Sequence, residues 1–83
     1  MMVDIPAPKA WYRADGTVVS CTESVKVLAE NWEEAVELLQ EQFEDAVLLG
    51  VGKDAFRAAM HGLVDALACD YEEKKAPVES LKR

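Results

Sequence analysis

Between Ser20 and Gly50 the chain contains neither proline nor glycine, and apolar residues return at steps of three and four through Val25, Leu28, Trp32, Ala35, Val36, Leu39, Phe43, Ala46, Val47 and Leu49. That spacing predicts a long amphipathic helix. Ser20-Cys21-Thr22-Glu23 reads as its capping box, in which the Ser20 hydroxyl and the Glu23 carboxylate take up free backbone N–H groups reciprocally. The helix is expected over residues 21–49, about 43 Å long. Gly50 suits the left-handed residue after the last turn, with Val51 folding back as its apolar contact.

Only Gly50-Val51-Gly52-Lys53 separates this helix from the next apolar pattern, so the second helix, expected over 53–72, should return antiparallel to the first. Asp54 in its opening turn suits the helix dipole. Phe56, Met60, Leu63 and Leu67 form a large-residue stripe extended by Tyr71, beside the small residues Ala55, Ala59, Gly62, Ala66 and Cys69. A glycine inside a helix costs about 0.8–1.0 kcal/mol against alanine. Close helix approach at Gly62 would offset this.

Upstream, Trp11-Tyr12-Arg13-Ala14 and Thr17-Val18-Val19-Ser20 flank Asp15-Gly16. An Asp-Gly pair between β-prone residues predicts a hairpin with a two-residue turn over 11–20, setting Tyr12 opposite Val19 and Arg13 opposite Val18. Residues 1–9, with Pro6 and Pro8, read as an extended arm, and residues 73–83 as a polar flexible tail. Residues 10–72 form the single domain expected of an 83-residue chain, and no internal repeat is apparent. The fold class is mainly α: a short N-terminal β-hairpin followed by an antiparallel αα-hairpin. Two helices cover only one side of each other, and Val27, Leu38, Val47 and Leu48 leave apolar surface over. A homodimer completing a four-helix bundle through these four residues is therefore expected.

Composition narrows the partners. The chain is 51% hydrophobic and 30% charged, with a formal net charge of -7, and residues 20–49 alone carry -7. Such a balance opposes direct binding to nucleic acid or to an anionic membrane surface. No apolar run approaches the length of a membrane span. Two cysteines far apart, Cys21 and Cys69, and an N-terminus without a signal-like apolar core suggest a cytoplasmic protein with reduced thiols.

Catalytic and metal chemistry find little support. The single histidine, His61, has Ala58 three residues before it, where a carboxylate-bridged metal centre needs glutamate; His61 with Asp65 makes only two ligands. Gly50-Val51-Gly52-Lys53-Asp54 lacks the length and the Ser/Thr of a phosphate loop. No Ser, His and Asp set suggests a triad. The expectation is no enzyme, no cofactor and no metal. Cys21 stands at a helix N-terminus, where thiols become acidic, but Glu23 beside it opposes the thiolate; Cys69 is expected in the core.

The conspicuous chemistry is the charge pattern. Glu30/Glu34, Glu33/Glu37, Glu37/Glu41 and Glu41/Asp45 are like-charge neighbours four residues apart, each destabilising by a few tenths of a kcal/mol. Glu44 and Asp45 also lie near the negative end of the helix dipole. A merely solvated face is the plain alternative, yet mixed signs would serve solubility better. Glu34, Glu37, Glu41, Glu44 and Asp45 are thus the candidate contacts for a protein partner with a basic surface, joined by Trp11 and Tyr12, which suit either a core or an interface. The expected function is that of a small acidic accessory or regulatory protein. The alternatives are a DNA-mimicking inhibitor or a non-catalytic small subunit of a larger enzyme.

Overall fold

A computed structural model describes residues 3–76. The protein is mainly helical, with α1 at Thr22–Leu48 and α2 at Lys53–Asp65 packing against each other. Within the described span the chain forms two compact units: residues 34–70 with residues 3–5, and residues 6–33 with residues 71–76. Of the tail expected over residues 73–83, residues 77–83 lie outside the described residues.

In the helical-hairpin unit, α1 stops because Gly50 turns left-handed, with φ of 101°. Val51 N–H donates to the Ala46 carbonyl at 2.8 Å and Gly50 N–H to the Val47 carbonyl at 3.0 Å, the paired bonds of a Schellman motif. Gly52 then opens α2 in an extended conformation with no side-chain cap. The two helices meet through Phe43 and Phe56, whose rings lie 5.2 Å apart.

Here α2 ends seven residues before the expected boundary at 72. Leu63, Val64 and Leu67 are exposed, and helices this short draw their stability from a buried face rather than from propensity. Without such a face the last expected turns have nothing to hold them. The compensation expected at Gly62 is also missing, since a Cβ there meets nothing within 4 Å. Cys69, expected in the core, is exposed beyond the end of α2.

In the second unit the β-hairpin gives way to a chain reversal with one isolated antiparallel bridge, Tyr12 to Val18; the described residues contain no sheet. The register is one residue off the expected one. Gly16 N–H bonds the Arg13 carbonyl at 2.9 Å, Gly16 has φ of 87°, and Arg13 N–H reaches the Thr17 carbonyl at 2.7 Å. This is a three-residue loop with glycine in its left-handed position, not a two-residue turn at Asp15-Gly16. Trp11 packs edge-on to Trp32, ring centroids 6.1 Å apart at 68°.

The two aromatic anchors of α1 reveal a repeat that is not apparent residue by residue. Val25-Lys26-Val27-Leu28-Ala29-Glu30-Asn31-Trp32-Glu33-Glu34-Ala35 is followed at once by Val36-Glu37-Leu38-Leu39-Gln40-Glu41-Gln42-Phe43-Glu44-Asp45-Ala46. Nine of the 11 positions are identical or conservatively changed, and Val47-Leu48-Leu49 begins a third copy. An 11-residue period corresponds to about 3.67 residues per turn, so equivalent residues stay on nearly one side of the helix. Trp32 takes Trp11 in one unit, and Phe43, its equivalent, takes Phe56 in the other.

Candidate protein-binding surface

Helical spacing puts Glu30, Glu34, Glu37 and Glu41 on the side of α1 away from Trp32, Val36 and Phe43. Glu34, Glu37, Glu41 and Asp45 are exposed, and none of the four forms an ion pair among the described residues. Glu44 differs from them: it is half-buried and accepts a hydrogen bond from Gln40 Nε2 at 2.9 Å. α1 has no basic residue in its last turn to meet the dipole. Arg57, at the start of α2, is engaged elsewhere, 3.3 Å from Asp54 Oδ1 and stacked 5.1 Å over the Phe43 ring. The acidic face therefore remains unrelieved by that arginine.

The aromatic pair Trp11 and Tyr12 divides. Trp11 is half-buried against Trp32, whereas Tyr12 is exposed. Adjacent residues in an extended segment face opposite ways, which accounts for the split.

Of the residues expected at a dimer seam, Val27, Leu38 and Leu48 are exposed and Val47 is half-buried. Val47 shares the side of α1 that carries Val36 and Phe43, so it belongs to the intramolecular contact face. Leu48 falls among the glutamates. Leu49, which helical spacing aligns with Val27 and Leu38, is as exposed as Leu48; its N–H still bonds the Asp45 carbonyl at 3.0 Å, so it continues the helical path.

The residue that sequence reasoning overlooked is Asp15. One carboxylate oxygen accepts the Thr17 N–H at 3.0 Å and the Thr17 hydroxyl at 2.5 Å, and the other accepts the Ala76 N–H at 2.9 Å. Ala76 is the one buried residue among those described, 7% exposed. The Thr17 hydroxyl, then the Thr17 and Ala76 N–H groups, hold the Asp15 carboxyl down at about 2. An Asp two residues before a Thr is the signal, since Asx turns use that spacing.

Val25 N–H bonds the Cys21 carbonyl at 2.9 Å and α1 begins at Thr22, so Cys21, not Ser20, precedes the first turn and the capping box expected of Ser20 and Glu23 is not what starts the helix. The Ser24 N–H and hydroxyl, followed by the Glu23 N–H, draw the Cys21 thiol below its ordinary pKa. Glu23 thus favours the thiolate through its backbone, contrary to the effect expected of its side chain. Among the described residues no group of three potential metal ligands comes together, and no helix is long and apolar enough to cross a membrane. No known protein family, no curated protein and no solved structure matches this chain.

Proposed function

We propose that the protein is a non-catalytic binding module, an accessory or regulatory protein whose partner presents a basic surface to the acidic face of α1. The observation that supports this reading is the set of exposed carboxylates Glu34, Glu37, Glu41 and Asp45, placed near one another on one helix with no ion pair among the described residues. Like charges at this spacing cost a few tenths of a kcal/mol per pair. A basic partner converts that cost into attraction and faster encounter. Exposed Tyr12 adds an aromatic contact of the kind enriched in interfaces.

The apolar surface left uncovered on α1 and α2 supports a second element of the reading, association with another copy of the chain to complete a helical bundle. For the acidic face the test is charge reversal. A partner isolated from the native cell is mixed with wild-type protein and with the Glu37→Lys/Glu41→Lys variant, and association rates are followed by stopped flow. The variant should fold at least as well and associate about tenfold or more slowly at low ionic strength. An unchanged rate sinks the acidic-face reading and moves the interface to Tyr12. Competition between the partner and duplex DNA would favour the DNA-mimicking alternative instead.

A further inference from the structure

The 11-residue repeat places two kinds of apolar position along α1. Trp32 and Phe43 are used within the chain, each against another aromatic ring. The third position of the repeat, Val27, Leu38 and then Leu49, is kept apolar three times although these residues are 51%, 55% and 85% exposed. Between them on the same side lie exposed Asn31 and Glu34, then exposed Gln42 and Asp45.

The order of these residues is symmetric about Leu38. Val27 precedes it by as many residues as Leu49 follows it, and the same holds for Asn31 with Asp45 and for Glu34 with Gln42. We propose that this stripe is the seam of an antiparallel pairing of α1 with α1 of a second copy, its two-fold axis passing at Leu38. The inference rests on the self-association proposed above and specifies its geometry.

In this register Leu38 meets its own copy and each Val27 meets a Leu49. Every carboxylate in the stripe is level with an amide: Asp45 with Asn31 and Glu34 with Gln42. The amide N–H groups donate, and the carboxylates accept. A parallel pairing would set Glu34 beside Glu34 and Asp45 beside Asp45. An apolar helix from another protein would strip water from two amides and two carboxylates with nothing in return. Polar layers among apolar ones fix register and orientation at some expense of stability. The two-fold also brings Glu41 to the same edge as Glu34 of the second copy, so the pairing carries a like-charge repulsion that salt relieves. Glu34 and Asp45 then belong to the seam, leaving Glu30, Glu37 and Glu41 for a basic partner.

The test uses the full chain with Cys21→Ser and Cys69→Ser, spin-labelled through Glu23→Cys, Glu30→Cys or Glu37→Cys, at about 100 µM by the scale of weak interfaces. Antiparallel pairing about Leu38 separates the label pairs along the helix axes by about 45 Å, 24 Å and 3 Å respectively. Pulsed dipolar distances should therefore fall steeply from Glu23 to Glu37. Equal distances at the three sites, or distances rising toward Glu37, overturn the register while leaving self-association standing. A monomer in sedimentation at about 0.5 M salt, where repulsion is screened, overturns both. Leu38→Asp should weaken self-association at least tenfold with an unchanged far-ultraviolet spectrum, and Leu38→Met should retain it. Added salt should tighten the pairing between copies and loosen the complex with a basic partner, so the two readings can fail separately.

Discussion

Trp32 and Phe43 occupy equivalent places in successive repeats of α1, and each closes its own unit in a similar way: an aromatic partner is brought back by a turn with a left-handed glycine. Trp32 receives Trp11 from the loop that turns at Gly16, and Phe43 receives Phe56 after the turn at Gly50. The supports around the two pairs differ. Arg57 stacks over Phe43, and the Schellman bonds tie the end of α1 to the turn that leads into α2. The loop bearing Trp11 is tied by the Asp15 hydrogen bonds and by Arg13, whose guanidinium reaches the Val18 carbonyl at 2.8 Å. One repeated aromatic site thus accepts either a helix or an irregular loop. The partner segment, rather than α1, decides which.

Removing the rings should expose this division most strongly. Phe43→Ala and Trp32→Ala each delete a half-buried aromatic, so each should cost about 2 kcal/mol, below the 3–5 kcal/mol of a fully buried ring. The two variants should differ in what they unfold. Phe43→Ala should reduce far-ultraviolet helicity through loss of α2 and leave the tryptophan emission of the Trp11–Trp32 pair unchanged. Trp32→Ala should free Trp11, seen as a red shift of its emission, while α2 persists. If both signals change together in either variant, the units are not separately closed.

The glycines come next in size. Gly16 and Gly50 both have positive φ, and open space lies where a Cβ would stand, so replacing either by alanine tests backbone conformation with no steric clash. The left-handed conformation costs a non-glycine residue about 1–2 kcal/mol. Gly50→Ala should lower the melting point monitored by helicity, and Gly16→Ala that monitored by tryptophan emission. Gly52, at φ of -66°, is the control, because alanine adopts that backbone freely. Equal losses at Gly50 and Gly52 would show that the turn depends on something other than the left-handed residue.

What could be read from sequence follows from how local each signal is. The three- and four-residue spacing and Gly50 located α1 to within a residue at each end, because a continuous helix and a left-handed stop are encoded in neighbouring side chains. The end of α2 was not legible. Leu67 and Tyr71 continue the apolar stripe of α2 in the sequence, but both are exposed, and without a covering surface to hold these turns the helix ends at Asp65. Asp15-Gly16 signalled a reversal, but the choice between a two- and a three-residue loop depends on which residue takes positive φ, and that placed the bridge one position away. The exposure of Glu34, Glu37, Glu41 and Asp45 follows from helical spacing, whereas Glu44 is half-buried and gained a glutamine partner. The repeat is hard to see in the sequence because its 11-residue period coincides with three helical turns and so hides inside ordinary amphipathicity.

The smallest effect expected is confined to the loop unit and comes from pH. Asp15, held at about 2 against an ordinary 3.8, is a carboxylate whose folded state is favoured by ionisation. Its contribution is complete above the ordinary carboxyl range and is lost as pH falls through about 2, the folded value. Protonation removes charge from the acceptor of the Thr17 hydroxyl, the Thr17 N–H and the Ala76 N–H. The Ala76 amide resonance should therefore titrate with a midpoint near 2 and lose protection from solvent exchange as it does, while the amides of Val51 and Gly50 in the Schellman turn, bonded to carbonyls, should not follow it. Asp15→Asn should reproduce the weakened Ala76 protection at neutral pH, since the neutral amide keeps an acceptor oxygen without the charge. An Ala76 amide that ignores both acid and Asp15→Asn would mean that the segment ending at Ala76 is held by burial alone, and the two units would then differ less in their supports than their hydrogen bonds suggest.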